Sequence, residues 1–400
     1  MGRLLPRILP EYAACTSPIG SKSAPPRCRL NNDLVIPFKA PPLQSTVLYF
    51  ARLGDMVMTT ALLNFLHRRY GRPCQVVGVG TWTSGVFVGN PDVSRVWSFG
   101  SHFPFPLTRQ WPQVARALRD SHPGPIYICE HHYRQLPRIR RMLAFSRIDP
   151  ARCLFIGEIP GTLHHSVDRL IHFGKQTPAA LQAADYPAPE NSLAWAPRLC
   201  VVDEDRADLE AWLRSRGWAG RKIIMIQPGN HRSMSRRRGR WRRLNTDDKA
   251  WPLARWVELL HKVHERMPDA LLMLRGTQEE MKMLDEVRAA VNLDAVVTAG
   301  VGLRRLFALC EAAHSMISVD TGPAHAAAAL GLPLVVMYGA GAQRFWLPRS
   351  PFDSPVVGVG GPPESVRVDQ ITVDAVFNAW CRVLQSAQSS PARSLPVAEH

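Results

Sequence analysis

At 400 residues the chain is too long for one typical core, so two domains are expected, and a hydrophobic share of 46% is enough to bury both. A formal charge of +16 favours acidic partners such as phosphorylated glycolipid, nucleic acid or an anionic membrane surface, and says nothing about fold. The eight cysteines (Cys15, Cys28, Cys74, Cys129, Cys153, Cys200, Cys310 and Cys381) contain no Cys-x-x-Cys pair, which argues against a metal cage or a disulfide scaffold and fits a reduced, cytoplasmic compartment.

Residues 1–44 mix Pro, Ser, Arg and Lys without periodicity and read as a disordered basic tail with no apolar run of signal-peptide length. Residues 47–50 (Val-Leu-Tyr-Phe) are the first buried-strand candidate. The stretch 56–69 follows, with Val57, Ala61, Leu62 and Phe65 at helical spacing. Strands are expected at 75–79 and 126–129, then a basic helix over 136–144. Pro187, Pro189 and Pro197 mark a linker. Beyond it the spacing predicts strands at 223–226, 271–274, 316–319 and 334–338, with helices over 254–265, 279–291 and 323–330. A last helix is expected over 371–388 and a second disordered tail over 389–400. No stretch approaches the roughly 18 apolar residues of a transmembrane span. Strands alternating with helices imply α/β architecture with parallel sheets covered on both faces. The pattern occurs twice, so an N-terminal domain over 45–195 and a C-terminal domain over 196–370 are expected to face one another. Ligands then bind in the crevice at the carboxyl ends of the strands.

Three segments carry chemistry. In Ala51-Arg52-Leu53-Gly54-Asp55, Gly54 permits a tight turn, and Asp55 is either a helix cap or a catalytic base. A helix N-terminus favours the carboxylate, which would keep Asp55 ready to take a proton. In the run from Ile317 to His325, a strand gives way to Asp320-Thr321-Gly322, and Pro323 suits the first turn of an alanine-rich helix. Backbone N–H groups at Thr321, Gly322 and Ala324 would face an anion such as a diphosphate. The plainer alternative is that Asp320 and Thr321 cap this helix and His325 is a core histidine. The third segment is Gln227-Pro228-Gly229, then a basic insertion over 231–245, then Lys249-Ala250-Trp251-Pro252. Lys249 is a point charge beside an aromatic-proline corner, or a solvated loop lysine.

In this order the segments resemble glycosyltransferase family 9, the ADP-heptose:lipopolysaccharide heptosyltransferases, over roughly residues 46–385. The matching residues are Leu53-Gly54-Asp55-Met56-Val57 with Thr59-Thr60, Gln227-Pro228-Gly229, Lys249 with Trp251-Pro252 and Trp256, and Ser318-Val319-Asp320-Thr321-Gly322 with His325. The resemblance implies a GT-B fold and an inverting, metal-independent transfer of a sugar from a nucleotide donor, ADP-heptose in most of the family. By position it makes Asp55 the general base. Lys249 would neutralise donor phosphates, and Asp320 would hold sugar hydroxyls. Thr321, Gly322 and His325 would surround the diphosphate and sugar, with Gly229 beside it, and Glu279 would take the donor ribose. No cofactor or metal is expected. Tyr49, Ala51 and Arg52 stand where the family carries Arg and Ser, Pro323 replaces a bulky residue, and the 231–245 insertion is unusual.

That insertion holds Arg232, Arg236, Arg237, Arg238, Arg240, Arg242 and Arg243 with Trp241 among them. It is either a solvated loop or an arm, through residues 236–243, for an acidic glycolipid acceptor or an anionic leaflet. A second basic cluster, Arg134, Arg138, Arg140 and Arg141, follows the strand at 126–129, and Arg134, Arg138 and Arg141 are the candidates for binding the acceptor. Localisation at the inner face of the cytoplasmic membrane follows from that reading. Two other functions share these features. One is a GT-B nucleotide-sugar epimerase or hydrolase. The other is a non-enzymatic anion- or nucleic-acid-binding protein, although no RRM, KH or zinc-finger signature is present and no specific nucleic acid is expected.

Overall fold

The computed structural model describes residues 40–100, 108–131, 135–159, 165–189, 195–229, 250–341 and 343–389. The 231–245 insertion, Lys249, Arg134 and the two tails, apart from a few residues at 40–44, lie outside the described residues.

The first half is built from β1 (Leu43–Leu48), α1 (Leu53–Tyr70), β2 (Gly71–Val79), α2 (Thr83–Val86), β3 (Val93–Phe99), α3 (Trp111–Asp120), β4 (Ile126–Ile128), α4 (Leu136–Phe145), β5 (Cys153–Phe155) and α5 (Ser166–Gly174). The second half runs α6 (Asp203–Ser215), β6 (Ile223–Gln227), α7 (Leu253–Arg266), β7 (Leu271–Gly276), α8 (Met281–Val291), β8 (Val296–Gly300), α9 (Leu303–Ala312), β9 (Ser315–Val319), α10 (Gly322–Ala329), β10 (Leu334–Tyr338), α11 (Gln343–Trp346), β11 (Val356–Gly360) and α12 (Val373–Ser389). The strands form two sheets, β3-β2-β1-β4-β5 and β11-β10-β9-β6-β7-β8, with every pairing parallel. The expected α/β class and paired doubly wound sheets are present.

Alternation along each strand sends side chains into different layers. Val47 and Val76 pack in the core that holds α1 and α5, whereas Leu48 and Val77 enter the layer under α3 and α4. In the second sheet Met225 and Met316 face α9 and α10, whereas Ile224, Ile226 and Ile317 face α7, α8 and α12. The core that includes α1 is continuous with the one that includes α10: Met56, Ala61 and Leu62 share a cluster with Ala324, Ala327 and Ala328. The alanines of α10 are short enough to let α1 approach closely.

Some boundaries differ from the sequence reading. β1 begins at Leu43, inside the expected tail, and stops at Leu48, so Tyr49 and Phe50 belong to the turn. A 3-10 turn, Gln278–Glu280, precedes α8, because Thr277 and Glu280 form a capping box. Helix α1 ends at Gly71 in the left-handed region, with φ 80°, where a side chain would be strained.

Candidate active site

In a doubly wound sheet, ligands collect where the strand order reverses. The reversal falls between β1 and β4 in the first sheet and between β6 and β9 in the second. The turns leaving these four carboxyl ends carry Tyr49–Arg52, Glu130, Gly229 and Asp320–Thr321. Asp55, Gly322 and His325 stand in the first turns of the helices that follow β1 and β9.

The helix starts after β1 and β9 touch. A methyl group on Gly54 would lie 3.1 Å from His325 Cδ2 and 3.3 Å from the Gly322 Cα. One on Gly322 would lie 2.9 Å from both the Gly54 backbone N and the Leu53 Cβ. At Gly322 a methyl group would meet backbone below 3.0 Å, and at Gly54 the His325 ring would have to give by a few tenths of an ångström, so both glycines serve close approach. The contact draws Asp55, Asp320, Thr321, Gly322 and His325 into one place. His325 is buried at this contact, against Gly54.

Asp55 is not the N-cap of α1. Arg52 holds that position, and Asp55 lies in the third residue of the helix, where the Arg52 backbone amide bonds its carboxylate. The helix terminus acts on Asp55 as the sequence argument expected, through the Arg52 amide, which lowers its pKa. Burial outweighs that pull and those of His131 and the Arg52 charge, and raises the pKa above the ordinary aspartate value. Tyr49 and Glu130 are buried neighbours. Burial pushes the Tyr49 hydroxyl well up, and the Asp55 carboxylate adds to the shift, while Arg169 opposes it. Arg169, on α5, was not picked out from the sequence. Its Nε is buried without a hydrogen-bond partner among the described residues.

On the opposite side, Thr321 is the N-cap of α10, with its hydroxyl 3.2 Å from that of Ser318. The Ala324 N–H, one of three expected to face an anion, bonds the Thr321 carbonyl instead. Those of Thr321 and Gly322 have no backbone acceptor among the described residues. α10 has no acidic residue in its first turn, and Asp320 precedes its N-cap. The Asp320 carboxylate faces the Gly341 turn beyond β10. At the end of β6, the Gly229 carbonyl accepts a bond from Gln227 Nε2 at 2.9 Å. Two neighbouring glutamates differ sharply here. Glu280 is buried, accepts the Thr277 N–H at 2.7 Å and puts Oε1 2.7 Å from where a Gly229 Cβ would stand. Glu279 is exposed, and its pKa is lowered by its own backbone amide and the Thr277 hydroxyl. The structure thus brings Glu280, rather than Glu279, to the Gly229 turn.

Arg138 and Arg141 are exposed on α4, which packs through Ile139, Met142 and Leu143. Arg140 pairs with Glu158 and lies over the Phe155 ring. The halves are also tied at two flanks. Arg304 on α9 donates to the Gly85 carbonyl and the Cys200 carbonyl, each at 2.9 Å, and pairs with Asp205. Arg349 grips Asp168 with two bonds of 2.6 and 2.7 Å, and His165 Nε2 lies 2.8 Å from the Leu347 carbonyl. No helix among the described residues is long and apolar enough to cross a membrane.

Comparisons with known proteins bear on the family and the fold. The model of glycosyltransferase family 9 (heptosyltransferase) matches residues 164–364, half of the chain. A curated relative, lipopolysaccharide heptosyltransferase 3 of Escherichia coli, is 31% identical over 104 residues. That alignment spans 26% of this chain and 31% of the relative's length. Among solved structures, the E. coli ADP-heptose LPS heptosyltransferase II superposes with a TM-score of 0.65 at 19% identity, covering 87% of this chain and all of the other. A family 9 glycosyltransferase from Veillonella parvula gives 0.66 at 15% identity, covering 86% and 98%. An E. coli heptosyltransferase solved with ADP gives 0.60 at 16%, covering 85% and 100%. These likenesses fix the architecture as that of the GT-B heptosyltransferases. By the match of its family model, the chain belongs to glycosyltransferase family 9, the heptosyltransferases.

Proposed function

We propose that this glycosyltransferase moves a sugar from a nucleotide donor, ADP-heptose, to a hydroxyl of an acidic acceptor of the lipopolysaccharide-core type, with inversion and without a metal ion. The observation that carries the reading is the contact of Gly54 with Gly322 and His325, which brings the helix start that carries the half-buried Asp55 against the helix start that carries Thr321 and Gly322. Asp55 takes the acceptor proton as the acceptor oxygen bonds to the anomeric carbon, and the bond from that carbon to the donor phosphate breaks on the opposite face. The leaving diphosphate gathers its charge at the Thr321 and Gly322 amides, with Lys249 as a further cation from outside the described residues. Asp320 accepts hydroxyls of the sugar. Glu279 is the exposed candidate for the donor ribose, while the buried Glu280 holds the Thr277 amide beside the Gly229 turn. Arg169 joins Arg134, Arg138 and Arg141 as a candidate for an acidic group of the acceptor, and the 231–245 arginines suit an anionic surface of the inner leaflet.

The names of the relatives support this choice of donor: one is an ADP-heptose LPS heptosyltransferase and another was solved with ADP. The test is a thermal-shift comparison of ADP, UDP and GDP, followed by transfer assays with ADP-heptose and a core acceptor in EDTA. ADP at 100 times its dissociation constant should add about 2.7 kcal/mol of stability. Transfer lost in EDTA and restored only by magnesium or manganese overturns the metal-free reading. Release of free sugar without acceptor points to a hydrolase or epimerase.

A further inference from the structure

Arg275 is the next-to-last residue of β7, a strand otherwise made of Leu271, Leu272, Met273, Leu274 and Gly276. It is 4% exposed. No carboxylate forms an ion pair with it among the described residues. Its Nε is buried without a partner there. Burial pulls its pKa down from the usual arginine value, with Cys310 and Glu280 opposing. An apolar residue in this place would continue the pattern of the strand and avoid the desolvation of a guanidinium. Stability therefore does not explain the arginine.

The bonds it makes lead to the crevice. Arg275 Nη1 donates to Gln227 Oε1 at 2.8 Å. Gln227, 2% exposed, then donates through Nε2 to the Gly229 carbonyl at 2.9 Å. An amide held by a fixed guanidinium cannot flip, so its NH₂ stays directed at Gly229. The Gly229 carbonyl is thereby turned into the protein.

On the reading that the donor diphosphate lies at the Gly229 turn, we propose that Arg275 is a positioning residue for that diphosphate, acting through Gln227 to keep the Gly229 carbonyl off the phosphate path. A carbonyl oxygen pointing into the crevice would repel phosphate oxygens, and its removal leaves the glycine free to let them approach. The buried guanidinium also offsets the Glu280 carboxylate on the other side of Gly229.

The experiment measures dissociation constants of ADP and adenosine by titration calorimetry for the wild type, Arg275→Met and Gln227→Glu. Gln227→Glu keeps the volume and the Arg275 contact but replaces the donor to Gly229 with a charged acceptor, so Gln227→Met, which removes that donor without adding a charge, is measured beside it; an ADP loss in Gln227→Glu that Gln227→Met does not share is charge repulsion and overturns the proposal. Each variant should weaken ADP by about tenfold, the scale of one hydrogen bond to a charged partner, and adenosine by less than about twofold. A purely structural arginine predicts a lower melting temperature with ADP and adenosine weakened in equal proportion, or wild-type ADP affinity in Gln227→Glu; either outcome overturns the proposal. If the wild type binds no ADP, UDP or GDP, the donor reading itself fails first, and that result is distinct from a change in the ratio between variants.

Discussion

The turns after β1 and β9 are built alike and charged in opposite ways. Each leads from the carboxyl end of a central strand into a helix through a glycine at the close approach of the two helix starts. α1 carries Asp55 in its first turn, whereas α10 carries no acid there. Asp55 meets the positive end of its own helix, and Thr321 and Gly322 leave theirs open to an outside anion. On the proposed reading, one architecture supplies a proton acceptor on one wall and an anion cradle on the other. The two helix starts touch, so a change at one presses on its neighbour.

The strongest way to break this comparison is Asp55→Asn. It should lower turnover by at least about 100-fold, the low end of general-base catalysis. Its effect on stability has the opposite sign. A folded-state pKa raised by burial means the ionised carboxylate costs stability above that pKa, and the cost vanishes as pH falls below the unfolded value. At neutral pH the asparagine variant should therefore melt no lower than wild type. A variant that keeps more than about a tenth of wild-type turnover removes the base assignment and directs attention to Glu130. The same shift predicts that kcat/KM falls as pH drops through a pKa above the ordinary aspartate value, and that this acid limb disappears in Asp55→Asn.

Gly322→Ala attacks the contact from the opposite wall. Its new methyl would press on the Gly54 backbone and Leu53, so a loss of about 1–3 kcal/mol in unfolding free energy is expected, with weakened donor binding. Gly54→Ala meets a side-chain atom first and should cost less. The flank ties sharpen the comparison at smaller scale. Arg304→Gln leaves Asp205, itself buried, without its ion-pair partner and should cost about 1–3 kcal/mol, whereas Arg349→Gln, in a more exposed pair, should cost less than about 1 kcal/mol in chemical denaturation.

The central strands were readable from sequence because both faces are covered and their residues form unbroken apolar runs, as in Leu334–Tyr338. Edge strands were not. β3 is interrupted by Ser94, Arg95 and Ser98, and β11 is a short, partly exposed run broken by Gly358, so neither gives a clear apolar run or period. In the site, Asp55 and the Asp320 turn were visible because glycine, acid and helix start are adjacent in the chain. Arg169 escaped because it reaches Tyr49 from a helix far along the sequence. Arg275 escaped because it stands just past the apolar run 271–274, where a charged residue reads as the exposed end of a strand. The choice between Glu279 and Glu280 depends on a 3-10 turn, which shifts which of two adjacent side chains points inward.

The shared packing of Met56, Ala61 and Leu62 with Ala324, Ala327 and Ala328 bears on how such enzymes can be recombined. A hybrid joining the first half of this chain to the second half of a relative would splice two non-matching surfaces at the middle of its core. Grafting works only if the buried stripe of α1 and the alanine face of α10 travel together as a matched pair, so the natural unit of exchange includes a helix from each half.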